Sequence, residues 1–172
     1  METMRRCRAD EQAVLGRIIN AAAERYRGAI PADCWHEPYM PEDALAQEIA
    51  AGVAFWGIER EGALVGVMGI QPIQDVALIR HAYVLPSEQG RGIGGRLLEA
   101  LCAAAGRPVL VGTWAAADWA IGFYRRHGFV MVGREEIPAL LRRYWTVSER
   151  QIEVSVVLAR TEQFMSASKA SA

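Results

Sequence analysis

The sequence has few cysteines and no long apolar segment, and both absences limit what the protein can be. Its three cysteines, Cys7, Cys34 and Cys102, are widely spaced and odd in number. Neither a metal site nor a disulfide framework is therefore expected, and a reducing, cytoplasmic location is the simplest interpretation. The basic N-terminal residues have no apolar stretch behind them, which argues against a signal peptide, and no other run is long enough to span a bilayer.

Net charge is also nearly absent, at −1 for 172 residues. Nothing in this balance would draw the chain to nucleic acid or to an anionic membrane surface, so we expect neither partner. The hydrophobic fraction of 52% is typical of a folded globular protein. We predict a single domain over residues 1–161, followed by a flexible tail over residues 162–172.

The spacing of apolar residues changes along the chain and outlines a mixed α/β domain. Positions 14–22 repeat at helical spacing behind a capping Asp10, and a second helix follows Pro41. Two strand-like runs flank a turn at residues 60–62, and later strand-like runs alternate with helical stripes. Alternation over residues 152–158 predicts a last strand. The order is helices, antiparallel strands, then strand–helix–strand–helix–strand.

A glycine-rich loop, "QGRGIGG", lies between a strand-like run that ends at Pro86 and an apolar helical stripe. Glycines at the first turn of a helix let unpaired backbone N–H groups approach a phosphate closely. Gly90-x-Gly92-x-x-Gly95 matches the dinucleotide fingerprint, but the acidic residue expected about 20 positions later is missing. A P-loop is excluded because no Gly-Lys-Ser/Thr follows. Another phosphorylated cofactor is favoured, and a turn that only packs a helix on a sheet stays open.

Two motifs in this region resemble those of one protein family. The segment from Gln89 to Gly94 resembles the Q/R-x-x-G-x-G/A motif of the GNAT superfamily of N-acetyltransferases. The segment "AIGFYRRHGF", residues 120–129, resembles the second signature of that family. The resemblance covers residues 54–132 well and the outer segments by order only. It implies a central mixed, mostly antiparallel sheet of about six or seven strands flanked by helices, with a parallel pair splayed around the cofactor.

The resemblance also implies acetyl-CoA as co-substrate, together with the residues that bind it. The loop would hold the pyrophosphate through its backbone amides, and the preceding strand would pair with the pantetheine arm. Tyr124 matches the general acid that protonates the departing thiolate, a role that suits a phenol with an ordinary pKa of about 10. Its alternative role is packing, in one stripe with Trp119 and Phe123. The cofactor-binding residues would be Ala82, Tyr83, Val84, Gln89, Gly90, Arg91, Gly92, Ile93, Gly94 and Gly95.

The general base is less clearly indicated by the sequence. His81 has suitable chemistry, because histidine titrates near neutrality, but a packed or surface histidine is the alternative. Glu59 or Asp75 could act through water, and a weakly basic acceptor needs no base. Gly112 stands where relatives that acetylate ribosomal-protein N-termini carry glutamate, and Ala117 where many members have asparagine. Both departures count against a protein acceptor.

The acceptor is expected at the loop of residues 30–40, which carries Trp35, His36 and Tyr39 between prolines. The alternative is an aromatic plug at one edge of the core. The sequence thus favours an acetyl-CoA-dependent N-acetyltransferase that acts on a small amine by direct attack in a ternary complex. An acyl-CoA-binding regulatory domain, or a transferase using another acyl-CoA or a protein amine, is the alternative. A homodimer stays open.

Overall fold

The computed structural model describes residues 1–160, which contain seven strands and six α-helices. Short 3-10 turns separate several of these elements. The strands are β1 (Glu2–Arg6), β2 (Ala54–Arg60), β3 (Ala63–Ile73), β4 (Val76–Val84), β5 (Val109–Trp114), β6 (Phe129–Met131) and β7 (Ser155–Arg160). The helices are α1 (Gln12–Ala23), α2 (Glu42–Ala50), α3 (Ile93–Ala104), α4 (Asp118–Arg126), α5 (Ile137–Tyr144) and α6 (Glu149–Glu153).

The strands form one sheet in the order β1-β2-β3-β4-β5-β7-β6. Neighbours are antiparallel in the pairs β1–β2, β2–β3, β5–β7 and β7–β6, whereas β4 and β5 run parallel. The parallel register extends only from Ala77↔Val109 to Ile79↔Val111. This confirms the expected fold class, a mostly antiparallel sheet with one parallel pair and flanking helices.

The predicted hairpin turn is present between β2 and β3. Glu61 and Gly62 are its two loop residues, with φ angles of 51° and 81°. Positive φ at both positions matches the twist of the flanking strands, and a two-residue turn of this kind fixes the register between them.

The N-terminal segment differs from the sequence-based expectation in two ways. Residues 2–6 form a strand that pairs with β2 from Glu2↔Arg60 to Arg6↔Trp56. Asp10 does not cap α1; the carboxylate of Glu11 accepts the backbone N–H of Arg8 at 2.7 Å, and α1 begins at Gln12. Glu11 is the residue before the helix, but its side chain makes no cap hydrogen bond to α1. Its carboxylate closes the preceding 3-10 turn and accepts bonds of 2.7 and 2.9 Å from Arg5.

The C-terminal segment also corrects one expectation. Ile152, expected in the last strand, lies in α6. Ser148 is the N-cap of this helix, and its hydroxyl accepts the N–H of Gln151 at 3.1 Å. The strand starts three residues after Ile152, at Ser155. The side-chain cap is a local signal that competes with the alternating pattern. The proposed tail at residues 162–172 lies outside the described residues.

The chain divides into two compact units, and the first comprises Met1–Gln71 with Arg80–Ala104. Its core is built by the apolar faces of α1, α2, β2 and β3, because residues at helical and strand spacing bury one side of each element. Ile19 and Val67 have no exposed surface. The core residues are Leu15, Ile18, Ile19, Met40, Leu45, Val53, Phe55, Leu64 and Val67.

The second unit comprises Pro72–Ile79 and the chain from Ala105 onward. Its core joins the first half of β4 with β5, β7, α5 and α6. Leu78, Leu110 and Val157 are fully buried there. In the described residues, no helix is both long and apolar enough to cross a membrane.

Candidate functional site

The glycine loop precedes α3, and its backbone N–H groups are the feature that could bind a ligand. Gly90 and Gly92 have φ angles of 80° and 75°, a conformation that glycine adopts at little cost. Within residues 1–160, none of the N–H groups of residues 90–95 donates a hydrogen bond; the first backbone bond of the helix runs from Arg96 N to Gly92 O, at 3.1 Å. A Cβ at Gly90 or Gly92 would meet no heavy atom within 4 Å. The loop therefore offers free donors and open space, as a phosphate requires.

Packing fixes this loop on the sheet. Ile93 is 1% exposed and lies against Gly66 of β3, where a Cβ would come within 2.6 Å of Ile93 Cγ2. Gln89 donates its side-chain amide to the carbonyl of Val84 at 3.2 Å. The buried stripe of α3, which includes Leu97 and Leu98, holds the helix behind the loop. The direction of the free amides is thus set by the core.

Paired arginines surround the loop. Arg96 bonds to Glu2 at 2.6 Å, and Arg91 approaches Glu88 at 3.5 Å. Arg60 pairs with both carboxylates, Glu2 and Glu88. Hydrogen bonds from Arg60 and then Arg96 lower the pKa of Glu2. The carboxylates of Glu2 and Glu88 offset two of these three guanidinium charges. An anion at this loop would therefore meet one remaining positive charge together with the backbone amides and the helix dipole.

The second half of β4 has one free edge. The strand extends to Val84, but its pairing with β5 stops at Ile79. On the other side, Leu85 continues the ladder by donating to Val65 O at 2.9 Å. Within residues 1–160, no strand pairs with this edge over Ala82, Tyr83 and Val84, although the carbonyl of Val84 accepts the side-chain amide of Gln89. The other polar groups of the edge are available for pairing with a strand-like ligand.

His81 lies on β4 in a conformation unusual for a side-chain-bearing residue, with φ at 52°. Its Nε2 bonds to the carboxylate of Glu48 from α2, which also accepts from Arg80 at 3.2 Å. Left-handed backbone at a residue other than glycine costs roughly 1–2 kcal/mol, and such strain is frequent at functional sites. The sequence did not indicate Glu48, which lies 33 residues before His81.

The two other candidate bases are engaged in different contacts. Glu59 holds the guanidinium of Arg5 through bonds of 2.7 and 2.8 Å. Asp75 lies in the second unit and accepts the hydroxyl of Tyr144 at 2.7 Å. That hydrogen bond, followed by one from its own backbone, lowers the pKa of Asp75. Both carboxylates are therefore used as acceptors within the fold.

Aromatic rings connect His81 with the loop expected to bind the acceptor. The ring centroids are 6.4 Å apart for His81 and Tyr83, 6.3 Å for Tyr83 and Tyr26, and 5.3 Å for Tyr26 and Tyr39. Tyr39 in turn lies 5.7 Å from Trp35. Trp35, Tyr39 and His81 thus belong to one row of aromatic rings. Tyr26 also belongs to this row, although the sequence did not indicate it.

The third residue expected at the acceptor site, His36, is not part of this row. It is exposed and, within the described residues, makes no ring contact or hydrogen bond. In the middle of the row, burial raises the pKa of Tyr83 well above its usual value, helped by the nearby phenols of Tyr26 and Tyr39. Tyr83 therefore stays a protonated phenol.

The loop of residues 30–40 is held at its last residue and in its middle. Asn20 of α1 donates to the carbonyl of Met40 at 3.0 Å and accepts its N–H at 2.7 Å. Arg27 lies over the ring of Trp35, 4.5 Å from its centroid, and bonds to Glu37 at 2.7 Å. These contacts present the aromatic side chains in a fixed arrangement. The same contacts are compatible with the alternative, an aromatic plug at one edge of the core, because a plug and an acceptor-binding surface would both need rigid side chains.

Tyr124 lies on α4 in the second unit and is 6% exposed. Its ring meets those of Phe123 and Phe129 edge-on, at centroid distances of 5.1 and 5.6 Å. These contacts are compatible with the packing role that the sequence left open, and the catalytic role of Tyr124 stays a prediction. In the part of the chain that the structure describes, no three histidine, cysteine or acidic side chains are grouped to hold a metal.

Two comparisons of the sequence with known proteins both find acetyltransferases. A model of the acetyltransferase (GNAT) domain matches residues 51–131. The uncharacterized N-acetyltransferase YjgM of Escherichia coli K12 is 30% identical over 100 residues, which span 55% of this chain and 59% of that relative.

Solved structures extend the likeness over nearly the whole chain. A GNAT-family acetyltransferase from Staphylococcus aureus Mu50 covers 93% of this chain and 98% of its own, with a TM-score of 0.70 at 14% identity. The PaiA N-acetyltransferase of Thermoplasma acidophilum, crystallised with coenzyme A, covers the same shares with a TM-score of 0.69 at 16% identity.

Proposed function

We propose that this chain is a member of the GNAT superfamily of N-acetyltransferases and transfers the acetyl group of acetyl-CoA to the amine of a small molecule. One observation carries the proposal. Among the described residues 1–160, no group accepts a hydrogen bond from the six consecutive backbone amides of residues 90–95, and these amides open a helix whose first turn has space for a phosphate. The complex of PaiA with coenzyme A supports the choice of ligand for a chain with the same fold.

Each part of acetyl-CoA has a candidate partner in this chain. The amides of residues 90–95 hold the pyrophosphate, with the positive end of the α3 dipole behind them. The free backbone edge of Ala82, Tyr83 and Val84 pairs with the amide groups of the pantetheine arm. The ligand supplies the activated thioester, and the protein fixes its position.

Transfer then proceeds by direct attack in a ternary complex. His81 accepts a proton from the acceptor amine, whose nitrogen attacks the acetyl carbonyl carbon. The carbon–sulfur bond breaks, and Tyr124 donates a proton to the departing thiolate. In this role His81 is a catalytic base, and the tyrosine suits the acid because a phenol is protonated at neutral pH.

The acceptor is proposed to lie against the row of rings that ends at Trp35 and Tyr39. Such a wall suits a small apolar or aromatic amine, whereas a polycation would require several free carboxylates. In this loop Glu37 is bonded to Arg27. In the part of the chain that the structure describes, the three cysteines form no disulfide, and a cytoplasmic location is part of the proposal.

A thiol-release assay tests the function directly. Purified protein is mixed with acetyl-CoA and a panel of small amines, and the free thiol of CoA is followed with time. We expect amine-dependent release with acetyl-CoA, and NAD should not bind when it replaces acetyl-CoA in a calorimetric titration. If acetyl-CoA binds but no amine causes thiol release, the regulatory alternative is favoured. If a longer acyl-CoA releases its thiol faster than acetyl-CoA, that acyl-CoA is the donor instead.

A further inference from the structure

A carboxylate from another element holds the imidazole of His81. Glu48, on the helix α2, bonds through Oε2 to Nε2 of His81. Both side chains are largely enclosed, with 25% of Glu48 and 14% of His81 exposed. Burial raises the pKa of Glu48, but the hydrogen bond from His81 and the charges of His81 and Arg80 outweigh it, so the pKa lies below its usual value. The carboxyl is therefore ionised near neutral pH.

Two aromatic rings fix the plane of the imidazole. Phe55 of β2 is nearly parallel to it, at 6.1 Å and 22°, and Tyr83 lies at 6.4 Å and 23°. The stacked rings prevent tilting, while Glu48 sets the rotation of the imidazole within its plane. The orientation of His81 is thus defined by three neighbours from three elements.

This geometry selects one tautomer. An ionised carboxylate accepts a hydrogen bond and cannot donate one, so Nε2 of His81 must carry the hydrogen that faces Glu48. The lone pair of a neutral imidazole is then on Nδ1. Among residues 1–160, no group donates a hydrogen bond to that nitrogen.

We propose that Glu48 is the positioning residue for His81, holding it in the Nε2–H tautomer so that Nδ1 takes the proton of the acceptor amine. The inference rests on the proposed function for its chemistry. The proton moves from the amine nitrogen to Nδ1, and the nitrogen lone pair forms the bond to the acetyl carbon. The imidazolium produced is stabilised by the charge of Glu48, as a carboxylate does in a catalytic triad.

The charged groups that face the ring have opposite effects on it. Glu48 favours the imidazolium, and Arg80, the neighbour on β4 that bonds to the same carboxylate at 3.2 Å, opposes it. The phenol of Tyr83 is neutral, and Phe55 is apolar. Replacing Glu48 or Arg80 should therefore shift the titration of His81 in opposite directions.

The first test is NMR titration of the histidine rings in the full chain. Only three histidines are present, so His81→Asn identifies the signals. Glu48→Gln keeps an acceptor for Nε2–H but removes the charge that favours the imidazolium, so the titration midpoint of His81 should fall. Arg80→Gln should raise it. Glu42→Gln, the same change at an exposed position of the same helix, should leave it unmoved.

The tautomer is read from the ring nitrogen shifts of the neutral form. We expect the Nδ1 signal in the range of an unprotonated nitrogen. An Nδ1–H tautomer, or a His81 midpoint unaltered by Glu48→Gln, would overturn the proposal. If Glu48→Gln fails to fold, Glu48→Asp provides the comparison: it keeps the charge on a shorter side chain, and the His81 signals should then show a mixture of tautomers.

Kinetics provides the second test. The acid limb of kcat/KM should move with the NMR midpoint in Glu48→Gln, kcat should fall about 10- to 100-fold, and acetyl-CoA affinity should stay at the parent value. If Glu48→Gln leaves both the His81 midpoint and kcat unchanged, Glu48 has only a structural role. Parent protein without turnover on any amine would overturn the proposed function, while the NMR titration still decides whether Glu48 controls His81.

Discussion

Substituting Gly92 with alanine separates the phosphate-binding role of the loop from its backbone conformation. At φ of 75°, an L-residue costs about 1 kcal/mol of stability. No protein atom lies within 4 Å of the added methyl group, so steric conflict within the protein adds nothing. The methyl group would instead occupy the space proposed for the pyrophosphate.

The size of the expected affinity loss follows from the bonds that the methyl group blocks. A hydrogen bond to a charged group contributes about 1.5–3 kcal/mol. Losing one such bond should weaken acetyl-CoA binding roughly 10- to 100-fold, since about 1.4 kcal/mol corresponds to a factor of ten. Calorimetric titration measures this change, and urea unfolding measures the stability cost.

Gly62 supplies a matched control for the backbone strain. It has φ of 81° and likewise has no heavy atom within 4 Å of a Cβ, but it lies in the β2–β3 turn. Gly62→Ala should lose about the same 1 kcal/mol of stability and keep the parent affinity for acetyl-CoA. A folded Gly92→Ala protein that binds acetyl-CoA like Gly62→Ala would refute the phosphate-binding role of the loop.

Three further predictions concern other parts of the chain. Tyr124→Phe should lower kcat about 10- to 10³-fold with acetyl-CoA affinity kept; unchanged kcat, with chemistry rate-limiting, would leave the ring a packing role. Trp35→Ala should raise the acceptor KM at parent acetyl-CoA affinity, whereas a much lower melting temperature with unaltered KM would favour the plug. Hydrogen bonds from Arg5 lower the pKa of Glu11 to about 2 from the ordinary 4.5, so its contribution to stability should disappear as pH falls from 4.5 to 2. Urea unfolding should show a shallower loss over that window in Glu11→Gln, by about 1 kcal/mol, and equal pH slopes would contradict the pairing.

Sequence patterns predicted those features that depend on neighbouring residues. The turn at Glu61 and Gly62 was indicated because glycine supplies positive φ at a hairpin. The loop before α3 and the apolar stripe of that helix were likewise visible in a few consecutive residues. Each of these features has its physical cause within one turn or one strand.

Features that depend on distant partners were missed. The strand β1 has no apolar pattern of its own; it exists because residues 2–6 pair with β2 more than 50 positions later. The cap of α1 was assigned to Asp10, whereas Glu11 is the residue before the helix and its carboxylate is bound by the guanidinium of Arg5. Glu48 likewise has no local signal, since its significance comes from His81, which only the folded chain brings to it.

Gly112 and Trp145 are far apart in the sequence but are in contact in the fold. A Cβ at Gly112 would lie 3.3 Å from Cζ2 of the Trp145 indole and 3.5 Å from its Nε1. The indole therefore fills the space that a side chain at position 112 would enter. The family resemblance implies a glutamate at this position in enzymes that acetylate ribosomal-protein N-termini. Both residues are half-buried, so a side chain at position 112 would need the indole to shift. A glutamate there would thus require a rearrangement of Trp145, which adds a physical reason to the proposal of an acceptor other than a protein N-terminus.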